Sequence, residues 1–197
     1  MIVAADTQDE PSHASDALDA ALAASDPPSM TVPVVATLGA GDPESAPAAT
    51  AIYRVVRRNK ADTAFSATDN RHSGRWTSEG TPAVYASLSP GGALLEFLTH
   101  RDGDSPADLG MVCATVPADC LTVGDQLPAQ WRERPYRDDV RAYGDGWAKA
   151  QRSLAFQLPS VVCEATCNVL VNPEHPDAGR LQIRSIDPIA IDPRLRY

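Results

Sequence analysis

The first fifty residues of this 197-residue chain contain neither lysine nor arginine, and no apolar run anywhere approaches eighteen residues. The second absence leaves no predicted membrane-spanning helix. The opening MIVAADTQDEPS also lacks the basic start and long apolar stretch of a secretory signal, which predicts a cytoplasmic protein. Cysteine is scarce. The 4 in the chain (Cys113, Cys120, Cys163 and Cys167) are too few for a disulfide scaffold. Cys163 and Cys167 have the spacing of a ligand pair, but no histidine lies beside either pair, so free thiols are predicted and no metal site. Aromatic residues make up only 6% of the chain, yet 43% is hydrophobic, enough to build the core of one domain.

Charge is unevenly spread. Eight of the 26 acidic residues fall in residues 1–50, leaving 18 against all 17 basic residues in 51–197. An acidic, Ala/Pro/Ser-rich arm therefore precedes a nearly neutral remainder. Neither part has the basic excess that a general nucleic-acid binder needs, so no direct nucleic-acid contact is expected. Within the arm, residues 16–24 carry a short helical pattern, with Ser15 as N-cap and Leu18 and Leu22 four apart, ended by Asp26-Pro27-Pro28. The rest of the arm reads as mostly irregular, with a boundary near residue 50.

Beyond that boundary, residues 52–58 (IYRVVRR) and 83–87 (AVYAS) have strand composition. Ser89-Pro90 supplies a helix N-cap and a proline at the first helical position. The helix is predicted to run to about Thr99 with Leu94, Leu95 and Leu98 as its apolar face. Residues 109–116 read as a buried strand, and residues 127–157 as largely helical, interrupted near Gly144 and Gly146. Trp147, Leu154 and Phe156 are core candidates. Residues 168–172 and 181–186 close the chain as short strands, the second alternating between apolar and polar. Strands and helices mix without regular βαβ spacing, which predicts an α+β fold.

The common catalytic patterns are missing. There is no Gly-x4-Gly-Lys-Ser/Thr loop, no Gly-x-Ser-x-Gly elbow and no His-Glu-x-x-His helix. Gly39-Ala40-Gly41 has Glu44 where a dinucleotide fingerprint needs its third glycine. The acidic pairs Asp138-Asp139 and Asp102/Asp104 read as solvated surface. A different set of residues is more informative: Arg54 in a strand, Arg75 in a Gly-Arg-Trp turn, Tyr85, Glu96 and Ser160. Glu96 sits between Leu95 and Phe97. Either it faces solvent or it turns inward and needs a partner, with Arg54 and Arg75 as candidates, because an unpaired buried charge is costly. Two arginines and a carboxylate on one cavity suit a substrate that is both anionic and sugar-containing, since arginine forks bind phosphate and a carboxylate can stabilise positive charge at an anomeric carbon. Tyr85 could stack on a flat ring. An internal salt bridge with Tyr85 in the core has the same spacing.

At these residues the chain resembles the RES domain family, toxins of bacterial toxin–antitoxin pairs with Xre-type antitoxins. The matching elements are Tyr53-Arg54, Gly74-Arg75-Trp76 with Gly80 and Pro82, Val84-Tyr85 with Ser87, and Ala93-Leu94-Leu95-Glu96. Leu158-Pro159-Ser160, the Asn168 to Pro173 run and His175-Pro176 follow in order, so the likeness spans residues 52–193. Thr77 and Ser73 stand where the family pattern has asparagine and a second glycine. The resemblance implies an ADP-ribosyltransferase-like split β-sheet with flanking helices around a cleft for NAD+, which is substrate and not cofactor. It implies cleavage of the nicotinamide–ribose bond with water or phosphate as acceptor, or transfer of ADP-ribose to a protein. A cleft grown inactive would leave a binding module. Carried over, Arg54 and Arg75 hold the diphosphate or adjacent ribose, and Tyr85 packs on nicotinamide. Glu96 binds the ribose and stabilises the transition state, Ser160 orients the ribose or Glu96, and Asn168 supports the cleft. An Xre-type antitoxin is the implied partner, with homo-oligomers formed through that complex. For a phosphate acceptor, Arg57, Arg58, Arg71 and Arg101 are candidate anion ligands by sequence proximity.

Overall fold

The computed structural model describes residues 48–68, 72–100 and 108–195. The helical pattern of residues 16–24, the Asp102/Asp104 pair, Arg71 and Arg101 lie outside the described residues. Seven strands form one mixed sheet: β1 (Ala49–Arg57), β2 (Val84–Ser87), β3 (Leu109–Pro117), β4 (Leu121–Val123), β5 (Ala155–Pro159), β6 (Cys167–Val171) and β7 (Gln182–Ile189). Their order is β4-β5-β6-β2-β1-β3-β7, and only the β4–β5 pair is parallel. Among the described residues two α-helices accompany the sheet, α1 (Pro90–Thr99) and α2 (Asp138–Ala150). The architecture is α+β, as expected.

How the strands pair positions the cleft. β1 and β3 run together along their whole length, from Ala49 opposite Pro117 to Arg57 opposite Leu109. β2 pairs with β6 along its length. Between these halves, β1 and β2 meet at the single register pair Tyr53–Ser87. The sheet therefore pinches at its middle into a β4-β5-β6-β2 half and a β1-β3-β7 half. On one face the halves share a core that includes Ile52, Val84, Val112, Ala114, Val116, Leu154, Val169 and Val171. Each helix packs against a different half. α1 lays Ala93, Leu94, Phe97 and Leu98 against Val55, Leu109 and Ile191, whereas α2 lays Val140, Trp147 and Ala148 against Phe156, Leu158 and Leu170. Burying these apolar faces is the main force holding each helix to its half.

Local chemistry explains the ends of α1. Ser89 is extended and its Oγ accepts a hydrogen bond from the Gly92 N–H at 3.0 Å, while Pro90 opens the first turn. The apolar face loses one expected residue and gains two: Leu95 is exposed, while Ala93 and Phe97 join Leu94 and Leu98. Positions 94, 97 and 98 share a helical stripe that 95 lies outside.

The predicted long helix over residues 127–157 is a correction. Only Asp138–Ala150 is α-helical, residues 155–159 form β5, and residues 127–137 contain no α-helix. Pro128 and Pro135 disfavour helix upstream. Gly144 and Gly146 do not interrupt α2. Gly144 instead permits its close approach to the Gly-Arg-Trp turn, because a Cβ there would lie 2.0 Å from the Trp76 carbonyl oxygen. Trp147, Leu154 and Phe156 are buried as predicted. The last strand reaches Ile189 and lies at the sheet edge. A bulge beside Cys113 puts Ile183 opposite Ala114 and Ile186 opposite Val112, on one face despite their odd spacing. At 38% and 37% exposure, both remain exposed on this edge strand. Cys120 and Cys167 are buried, Cys113 and Cys163 are half-buried, and all are free thiols.

Candidate active site

The pinch between the half-sheets opens into a cleft of about 370 Å3, lined by residues of β1, β2, α1 and the loops beside them. Arg54, Arg75, Tyr85, Glu96 and Asn168 all line it, and Ser160 reaches it through Glu96. Residues up to 114 positions apart in sequence thus converge on one cavity.

Glu96 projects from α1 and is half-buried. Its partners are neither of the expected arginines. The Ser160 hydroxyl donates to Oε1 at 2.8 Å, and the Asn168 side-chain N–H donates to the same oxygen at 2.6 Å. Ser160 is only 2% exposed, and its Oγ also accepts the N–H groups of Val162 at 3.1 Å and Cys163 at 3.2 Å. Those acceptor bonds leave its proton for Glu96. Asn168, on β6 opposite Ser87, is likewise buried. Because both donors are neutral, the carboxylate is oriented without being neutralised. A salt bridge to arginine would have done both.

The arginines stand on separate elements. Arg54 is on β1 and donates from Nη1 to the Ala64 carbonyl. Burial pulls its pKa down to about 10, which leaves it cationic at neutral pH. Arg75 donates from Nη1 to the carbonyls of Trp131 at 2.6 Å and Glu133 at 3.0 Å. Burial lowers its pKa, and the Glu96 carboxylate partly counters that. Neither arginine makes an ion pair within 4.0 Å among the described residues.

Tyr85 anchors the turn that carries Arg75. Its hydroxyl accepts the Trp76 N–H at 3.1 Å and lies 2.9 Å from the Thr77 hydroxyl. Gly74 is required there, since a Cβ would come within 2.5 Å of the Tyr85 oxygen. Burial raises the Tyr85 pKa, so the phenol stays protonated through neutral pH. From the other side α2 holds the same turn. Asp145 accepts from the Ser78 N–H at 2.9 Å and the Thr81 hydroxyl at 2.7 Å, and Arg141 Nε reaches the Gly74 carbonyl at 3.4 Å.

Several cleft residues were not anticipated from sequence: His72, Phe97, His100, Arg134 and Tyr136. For the last two a signal exists. WRERPYR, residues 131–137, interleaves three arginines with two aromatic rings. The two histidines had none, because only the fold brings residues 72 and 100 together. Of the arginines proposed for an acceptor anion, Arg57 and Arg58 are exposed and do not line the cleft.

Fold and cleft together describe a small α+β domain whose split sheet holds one oriented carboxylate and buried arginines on a single cavity. The RES domain family matches residues 51–194, and the chain belongs to that family. Its relatives include a Prs ADP-ribosylating toxin of Sphingobium sp. (strain YBL2), 31% identical over 155 residues, covering 74% of this chain and 96% of the relative. A protein named Toxin Res from Pseudomonas putida (strain KT2440) is 34% identical over 126 residues, or 60% of this chain and 84% of that one. The fold also matches the crystal structure of the M. tuberculosis MbcT–MbcA toxin–antitoxin complex. The TM-score is 0.51 at 16% identity, covering 73% of this chain and 85% of that chain.

Proposed function

We propose that this chain is the toxin of a toxin–antitoxin pair and degrades NAD+ by cleaving its nicotinamide–ribose bond, with water or phosphate as acceptor. The observation that carries this reading is the Glu96 carboxylate, oriented by two neutral donors and facing a cleft with two arginines that make no ion pair among the described residues. Nicotinamide in NAD+ is already a cationic leaving group. Its bond to C1′ breaks with both electrons moving to the ring nitrogen, which releases neutral nicotinamide and leaves positive charge on the ribose. A carboxylate that keeps its full charge is suited to stabilise that cation. Water then forms the new C–O bond and gives up its proton, yielding ADP-ribose, or phosphate forms the bond in its place.

In this scheme Arg54 and Arg75 hold the diphosphate, Tyr85 packs on the nicotinamide side and Ser160 with Asn168 keeps Glu96 aimed. Positioning and charge stabilisation suffice, because no strong acid is required for this leaving group. NAD+ is the substrate, and the scheme calls for no separate cofactor. The toxin's partner is an Xre-type antitoxin that blocks the cleft, a role supported by the shared fold with the toxin of a toxin–antitoxin complex. Incubating the purified protein with NAD+ is expected to release nicotinamide together with ADP-ribose or its phosphate. A Glu96→Gln protein that releases nicotinamide at the wild-type rate would overturn the site assignment.

One observation favours a second reading, transfer of ADP-ribose to a protein: the Sphingobium relative is named an ADP-ribosylating toxin. Adenine-labelled NAD+ in cell lysate separates the two. Label that stays on a protein supports transfer, and label in free ADP-ribose or its phosphate supports degradation.

A further inference from the structure

The cationic wall of the cleft continues past Arg75. In the loop before α2, three guanidinium groups gather around the ring of Tyr136. The Cζ of Arg75 lies 4.8 Å from the ring centroid, that of Arg134 5.4 Å and that of Arg141 5.9 Å. Arg134 and Tyr136 both line the cleft. The neighbouring carboxylates are engaged elsewhere: Glu133 and Asp139 with Arg137, and Asp138 with Arg141. Arg134 makes no ion pair within 4.0 Å among the described residues.

Arg75 supplies an independent observation. It is 8% exposed, and its Nη2 is buried without a hydrogen-bond partner. A buried donor on a charged group is costly to leave unpaired. Arg134 adds to the strain on Arg75 by like-charge repulsion, although burial has the larger effect. Of the three, Arg141 is paired with Asp138, whereas Arg75 and Arg134 share the ring with no ion-pair partner among the described residues, an arrangement suited to an external anion.

We infer that Arg75 and Arg134, mounted on Tyr136, form a subsite for a phosphoryl group. Planar guanidinium forks match the oxygens of a phosphoryl group, and the ring fixes their planes. The group comes either from the diphosphate of a dinucleotide or from a separate phosphate. Assigning it to the substrate rests on the NAD+ reading above; the subsite itself does not.

Calorimetric titration of ADP, and separately of inorganic phosphate, tests this on the full chain and its Arg134→Ala variant. Arg134 is exposed, so the variant is expected to melt as the wild type does. Its Kd for at least one ligand is expected to rise about tenfold, the loss of one charged hydrogen-bonding partner, with partial recovery in Arg134→Lys. Tyr136→Leu should weaken the same ligand. Weakened ADP binding, with phosphate not binding, assigns the subsite to the diphosphate. Weakened phosphate binding at unchanged ADP affinity assigns it to a separate phosphate. If both ligands keep their affinity in folded Arg134→Ala, or neither binds the wild type, the subsite is refuted. A wild-type protein that binds ADP through Arg134 but leaves NAD+ intact would sink the catalytic reading and leave the subsite standing. NAD+ turnover with ligand affinities indifferent to Arg134 would do the reverse.

Discussion

The carboxylate corner of the cleft and its arginine wall are built on opposite plans. Glu96 is held at one oxygen by two buried neutral side chains, at 2.8 and 2.6 Å, and each donor is itself fixed by the backbone of β6 or the loop before it. Among the described residues, Arg54 and Arg75 are held through carbonyl oxygens and one aromatic ring, with a buried donor left over on Arg75. One corner orients its charge with neutral donors, although the Asn168 Oδ1 is left buried without a partner; the other carries cations that make no ion pair among the described residues. A preorganised carboxylate costs no reorganisation during the reaction. Buried cations awaiting an anion lower the stability of the empty protein and gain it back on binding.

Substitutions can break this contrast at either end. Glu96→Gln has the largest expected effect: NAD+ turnover falls by about 10²–10³-fold with little change in KM, read by steady-state kinetics. Ser160→Ala and Asn168→Ala each leave Glu96 one donor, and each is expected to lower kcat by about tenfold. Their double variant should lose more than the product of the two losses, because the remaining donor no longer compensates. Equal losses in KM and kcat/KM at unchanged kcat would instead place Ser160 in substrate binding.

On the arginine side, Arg54→Met is expected to weaken NAD+ binding while raising the melting temperature. The folded pKa of about 10 lies below the ordinary arginine value, so the buried charge opposes folding in full at every pH below about 10. Wild-type stability should recover only as pH climbs above about 10. At pH 7 the gain for Arg54→Met is about 1–3 kcal/mol, reduced because the Ala64 carbonyl loses its donor. A lower melting temperature would show that Arg54 is a structural residue and erase the contrast. The smallest effect is expected from removing residues 1–45. The Ala48 carbonyl, which accepts from the Ala118 N–H at 2.8 Å, and β1 from Ala49 onward stay intact. NAD+ turnover should be unchanged.

How much of this was legible beforehand depends on the range of the interaction involved. The start of α1 was readable because Ser89, Pro90 and Gly92 act within four residues of one another. β1, β2 and β3 were readable because their side chains suit a buried strand wherever they pair. The residue set Arg54, Arg75, Tyr85, Glu96, Ser160 and Asn168 came from a family pattern, and the structure brings all six to one place. For Glu96 the two readings divide: opposite charge points to arginine and the family resemblance to Ser160, and the structure gives Ser160 from the loop after β5 together with Asn168 from the sheet. The run 127–137 was misread because apolar and helix-favouring residues there imitate a helix, while Pro128 and Pro135 and the packing of Trp131 on Trp76 at 5.6 Å favour a loop.

Alone, the chain's order of residues determined an acidic arm, a nearly neutral α+β remainder and a set of charged residues without any of the common catalytic signatures. These follow from composition and from contacts a few residues long. Tertiary structure decided which charges stay unpaired. β1 and β2 meet at only one register pair, and the opening this leaves admits Glu96 with neutral donors on one side and arginines without carboxylates on the other. Pairing across up to 114 residues depends on strand register and helix docking, and no local propensity encodes those.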